Sequence, residues 1–169
     1  MKAKPQDVKL RPIRLSDAPR YVKWLNDPAV TRFLSRSPGI TLKQEREWIK
    51  NTIGDKTKAV FALIYKSEHI GSISIDRIDQ KSKKGSLGIF IGEKNIWNKG
   101  IGTIATQKMV RYGFNKLKLH KIFLCVFPKN ERAIKIYQKL GFKKEGYLKD
   151  EFKKKGRFRD LIQMAIIKK

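Results

Sequence analysis

Between Gly85 and Met109 the chain reads "GSLGIFIGEKNIWNKGIGTIATQKM", an apolar run, a loop with two glycines one residue apart, and a helical stripe. "GSLGIFIG" (Gly85 to Gly92) is apolar enough for a strand in the middle of a sheet. Ile101, Ala105, Met109 and Tyr112 then fall on one helical face, widened by Ile104, and the helix is expected to run to about Leu117. Gly100 and Gly102 weaken a helix, so their place at its mouth needs a reason. A helix N-terminus leaves backbone N–H groups unpaired and carries partial positive charge, which together attract an anion. Bare glycines let a phosphate approach those amides, and Lys99 adds a full charge. "WNKGIGT" therefore reads as a pyrophosphate cradle, with a plain tight turn as the alternative. It is not a Walker loop, and it lacks the third glycine of the dinucleotide fingerprint.

The rest of the chain switches between the two periods. "VKLRPIRL" (Val8 to Leu15) alternates as a strand, and Ser16 and Asp17 offer a cap for a helix through "APRYVKWLND". A second helix starts at Thr41, with Glu45 and Trp48 at helical spacing. "AVFALIY" and "IGSISIDRI" read as a hairpin across "KSEH". "KIFLCVFP" (Lys121 to Pro128) is a nearly continuous apolar strand stopped by proline. In "NERAIKIYQKLGF", Asn130 is the expected N-cap, Ala133, Ile136, Tyr137 and Leu140 mark one face, and Gly141 lies just past the end. The remainder reads as two strands joined by a basic loop around Lys153 to Gly156. The order predicts a mixed α/β layered fold on one central sheet, in one domain spanning residues 1–169.

Hydrophobic residues make up 40% of the 169, enough for a core. No apolar run reaches the ~18 residues of a membrane span. The start has no secretion-type segment, and Cys125 is the only cysteine. A soluble, reducing, cytoplasmic setting without membrane contact is expected. Lys plus Arg is 40 against 15 Asp plus Glu, a net charge of +25. That excess favours anionic partners, or is simply a solvated lysine surface. No spacing of His, Cys and carboxylates supports a metal. His69 and His120 are isolated and are expected to be structural or exposed. Cys125 is expected to be a small core residue.

"WNKGIGT" resembles the acyl-coenzyme A loop of the GCN5-related N-acetyltransferases, the GNAT family, whose pattern is Gln/Arg-x-x-Gly-x-Gly/Ala. Trp97 in its first position resembles the RimJ/RimL-like branch. "LHKIFLCVFPKNERAIKIYQKLGFKKEGYLKD" and "LRPIRLSDAPRYVKWLNDPAVTRFLS" are similar to that branch too, so the likeness covers almost the whole chain. Two positions depart from the pattern: Ser86, where many relatives carry an acid, and Ile104, where many carry Glu. The resemblance implies a GNAT-like fold, with a mixed, mostly antiparallel sheet splayed between its middle strands and flanked by helices. It implies acetyl-CoA as co-substrate, with no metal. The cofactor's arm would pair with backbone near Phe90 and Ile91. Trp97, Asn98, Lys99, Gly100, Ile101, Gly102, Thr103, Asn130, Ala133 and Tyr137 would complete the cofactor site. Tyr137 would also be catalytic, protonating the departing thiolate. Lys135 and Lys139 are candidates for the ribose phosphate. Glu93, Asp76 or water would take the amine's proton.

The implied activity is acetyl transfer to a primary amine by direct attack. The branch points to a protein N-terminus, such as that of a ribosomal protein, and the basic surface suits a target beside ribosomal RNA. A small-molecule amine, such as a nucleotide-linked amino sugar or a polyamine, is the alternative acceptor. The net charge and Ser86 weigh against free polyamines. A basic RNA- or ribosome-binding module on the same fold is a further reading. The state of assembly, monomer or homodimer, is open.

Overall fold

Lys66 and Ser67 both have positive φ, 49° and 70°, the left-handed pair of a two-residue hairpin turn. They join β2 (Ala59–Tyr65) to β3 (Glu68–Asp79), so the turn is tighter than "KSEH" and Glu68 and His69 already belong to the strand. The structure is a computed structural model and describes residues 2–169. β1 (Val8–Pro12) pairs antiparallel with β2, and β4 (Lys84–Ile91) pairs antiparallel with β3. Three helices lie between β1 and β2: α1 (Ala18–Leu25), α2 (Pro28–Thr31) and α3 (Leu42–Thr52). After β4, α4 (Ile101–Asn115) carries the chain back, so that β5 (Lys121–Val126) runs parallel to β4. α5 (Glu131–Lys139) follows, then the hairpin of β6 (Lys143–Lys154) and β7 (Arg157–Ile167), with β7 inserted beside β5. The seven-stranded sheet has the order β1-β2-β3-β4-β5-β7-β6. This is the mixed, mostly antiparallel sheet flanked by helices that the resemblance implies.

The sheet is covered on both faces. On one, Ile73, Ile75 and Leu87 pack with Ile101, Ala105 and Met109 of α4 and with Tyr137 of α5. On the other, Tyr21, Trp24 and Leu25 of α1 pack with Ile49 of α3, Val60 and Phe90. At the end of β4 a side chain on Gly92 would collide with the Trp24 ring, so glycine there lets α1 lie against the strand.

Several expectations are corrected. β1 stops at Pro12, which lacks a donor for a longer ladder, and Leu15–Asp17 forms a 3-10 turn. Asp17 does not cap α1. It turns back to accept from Arg11 (2.7 and 3.1 Å) and from the Arg14 N–H (2.8 Å). α4 ends at Asn115, short of Leu117. Cys125 is exposed rather than core, because β5 alternates: Ile122, Leu124 and Val126 face the helices and Cys125 faces away. His69 is buried, bonds the Gly71 carbonyl at 3.0 Å and meets the Tyr21 and Trp24 rings edge-on, while His120 is exposed.

Candidate active site

The sheet parts at its middle. β4 and β5 pair only at Lys84–Lys121, Gly85–Ile122 and Ser86–Phe123. Beyond Ser86, β4 stays with β3 to Ile91, and β5 stays with β7 to Val126. The Gly92 N–H donates to Ile70 O (2.8 Å), and Lys83 O accepts from the Lys121 N–H (3.0 Å). Main-chain groups alternate along a strand, so even-numbered β4 residues face β3 and odd-numbered ones face the gap. The Phe90 backbone thus lies in the β3 ladder, and those of Leu87, Ile89 and Ile91 face the opening. The Trp97 indole N–H donates to Ile91 O (2.9 Å) and covers the outermost of these carbonyls.

The glycine loop closes one end of that gap. Asn98 and Gly100 have φ of 70° and 82° and flank Lys99, curling the chain. The Ala3 N–H holds the loop through Lys99 O at 2.8 Å. Gly100 is the N-cap of α4 and has no side chain to cap it. The amides of Ile101, Gly102 and Thr103 thus open the helix with no side-chain acceptor at the cap position, which suits an anion. Ile101 itself is 1% exposed and anchors the turn in the core. Across the gap, Asn130 caps α5 by accepting from the Ala133 N–H at 3.3 Å. Tyr137 is buried on the same helix against Phe142, with ring centroids 5.7 Å apart. Burial pushes its hydroxyl up to about 12. Lys135 and Lys139 are exposed.

On the α1/α3 face a cavity of about 390 Å³ lies against Gly88, Ile89 and Phe90 of β4. Tyr21, Glu45, Trp48 and Asp76 also line it. Glu45, one turn into α3, has a side chain only 2% exposed. Burial raises its carboxyl above the ordinary range, partly offset by Arg36 at 3.3 Å. Asp76 accepts from Ser74 Oγ at 2.7 Å. The Tyr21 hydroxyl is buried without a partner among the described residues. Ser86, where many relatives place an acid, receives Arg77 at 3.0 Å. Asp76 stands directly opposite it on β3. Of the two carboxylates named from sequence as bases, Asp76 reaches the cavity, whereas Glu93 accepts from the Trp24 indole at 3.0 Å. Sequence reasoning placed Glu45 only on a helix, and its role in the cavity went unseen.

A split sheet whose open edge meets an uncapped, glycine-rich helix start, with a cavity beneath, defines an acyl-coenzyme A-dependent transferase class. The chain belongs to the GNAT acetyltransferases: the acetyltransferase (GNAT) domain of that family matches residues 7–143. It is an N-acetyltransferase that uses acetyl-CoA. It is similar to the uncharacterized N-acetyltransferase p20 of Bacillus licheniformis, with 34% identity over 165 residues, 95% of this chain and 92% of that protein. It is also 34% identical over 160 residues to the spermidine N(1)-acetyltransferase of Escherichia coli K12, covering 94% of this chain and 85% of the relative. Its fold superposes on the Vibrio cholerae spermidine N-acetyltransferase crystallised with CoA and spermine, with a TM-score of 0.90 at 24% identity and 96% of each chain covered.

Proposed function

We propose that this enzyme acetylates a primary amine of a small polycation of the polyamine class. The observation that carries the reading is the pair of carboxylates, Glu45 and Asp76, in the cavity under the open part of β4. One can hold an ammonium while the other faces the attacking amine. The similarity to spermidine acetyltransferases supports the same acceptor. The objection from a net charge of +25 weakens at short range. Salt screens distant charges over roughly 8–10 Å, whereas two carboxylates inside a cavity act at contact.

Acetyl-CoA supplies the thioester. The amides of Ile101, Gly102 and Thr103, with Lys99, would hold its diphosphate. The gap-facing backbone of Leu87, Ile89 and Ile91 would hold its arm as an added strand. An N–H on that edge would bond the developing oxyanion. Asp76, directly or through water, would accept the ammonium's proton. Tyr137, still protonated across the working range, would give one to the thiolate.

The test is a panel of amines assayed by free-thiol release: spermidine, spermine, amino sugars and ribosomal-protein N-terminal peptides. The expected result is a kcat/KM for the polyamines at least about tenfold above the others, with Glu45→Gln removing most of that margin. A preference for the peptides would return the protein N-terminus as acceptor.

A further inference from the structure

Arg36, Glu45 and Trp48 line two cavities, not one. The inner is the 390 Å³ cavity against β4. The outer, of about 280 Å³, is formed by Arg36 with Ser37, Pro38, Gly39, Gln44 and neighbouring residues. The Arg36 guanidinium lies 3.3 Å from Glu45 and 5.6 Å from the centre of the Trp48 ring. It belongs to the loop between α2 and α3, and its side chain is 40% exposed, against 2% for Glu45. A single long contact to one oxygen of a buried carboxylate is a weak tether for so exposed a side chain.

We propose that Arg36 occupies the acceptor's cation position on Glu45 in the free enzyme, and that the incoming ammonium displaces it and joins the two cavities into one channel. Displacement costs little because Arg36 keeps water and the Trp48 face as partners. The joined channel runs from β4 to the surface, so it takes a long, multiply charged amine end-on, with its distal part in the outer cavity. Arg36 is thereby a specificity-determining residue. It competes with every cationic acceptor, and long polyamines alone gain the outer cavity when it leaves. This inference rests on the amine-acceptor reading of the same site.

The titratable and charged groups around Glu45 are Arg36 from the loop, Tyr21 from α1 and Asp76 from β3. Removing Arg36 takes away the cation that favours the Glu45 carboxylate, so its carboxyl should ionise at higher pH. The experiment compares wild type, Arg36→Ala and Arg36→Lys with the best acceptor of the panel and with shorter and longer homologues, across pH. In mildly alkaline buffer Arg36→Ala should lower the amine KM about fivefold, the scale of one partly exposed ion pair, with the acetyl-CoA KM unchanged. The acid limb of its kcat/KM profile should move to higher pH, and Arg36→Lys should hold the limb in place. The wild-type preference for longer amines should shrink in Arg36→Ala, because the channel is then always open. A raised amine KM at every pH, or an unmoved limb, would overturn the displacement. Failure of polyamines in the wild-type panel would overturn only the choice of acceptor, since any ammonium must still compete with Arg36.

Discussion

Tyr137 sits on an apolar helical stripe, and a tyrosine there is ordinarily core. By packing it is core: it is buried against Phe142 and among the residues under α4. Yet that burial also pushes its hydroxyl up. With the hydroxyl at about 12, the proton stays on throughout the neutral range, which is what a donor to a thiolate requires. Tyr137→Phe keeps the ring and its contacts. It should lower kcat by about a hundredfold, the lower end for one general acid, with the acetyl-CoA dissociation constant within about twofold. Isothermal titration beside single-turnover kinetics separates the two. Equal kcat values would leave Tyr137 as packing alone. Single residues also mark where sequence reading stopped. In the sequence Ser86 reads as the loss of an acid from the acceptor side, but the hairpin register puts Asp76 directly across from it. Register is a pairing between strands, and nothing in either strand alone reveals it.

Whole elements were easier to read than single positions. The glycine loop, Asn130 and the strand–helix order were legible because caps and turns have local causes, namely a missing donor, a missing Cβ or a side-chain acceptor. The early end of β1 at Pro12 and the exposed Cys125 have local causes too, a missing donor and strand alternation, but neither strand by itself says which face the helices cover. The Glu45 cavity needed α3, the loop before it and β4 brought together from distant sequence. The loop's own logic is testable. Gly100 has φ of 82°, and apart from its chain neighbours nothing lies within 4 Å of where its Cβ would be. A Cβ there meets no packed neighbour, so a substitution tests whether the proposed diphosphate uses that space. Gly100→Val should therefore cost about 1–2 kcal/mol from the left-handed backbone. Its acetyl-CoA KM should rise by at least about tenfold. Thermal melts and initial rates report the two effects separately. A full stability loss with unchanged KM would mean that the glycine serves the turn and not the ligand.

At the scale of the molecule, the opening that makes the site also divides the sheet. The β1–β4 half and the β5–β7–β6 half meet at one strand pair, β4 with β5, through three residue pairs, and α4 packs across both. A further link crosses the split on the acceptor side. The Lys154 ammonium, at the tip of β6, donates to Thr31 O at 2.6 Å, to Leu34 O and, at 3.5 Å, to Arg32 O. These carbonyls lie at and just past the C-terminus of α2, a helix of four residues, where main-chain donors are few. Lys154 is thus a helix cap borrowed from a strand more than a hundred residues away. Burial holds its ammonium below the usual lysine range, so the site tolerates the charge only because three oxygens receive it. The capped segment runs directly into Leu34, Ser35 and Arg36, which line the cavity proposed for the acceptor. Lys154→Met fills the same volume without donors. It should cost about 2 kcal/mol, the net worth of charged hydrogen bonds lost with their acceptors left dry. That lowers Tm by about 4–8 °C in a chain of this length. The amine KM should rise with it while the acetyl-CoA KM stays, because only the acceptor side is released. A Tm within about 1 °C of wild type would reduce Lys154 to a surface lysine with no part in joining the two halves.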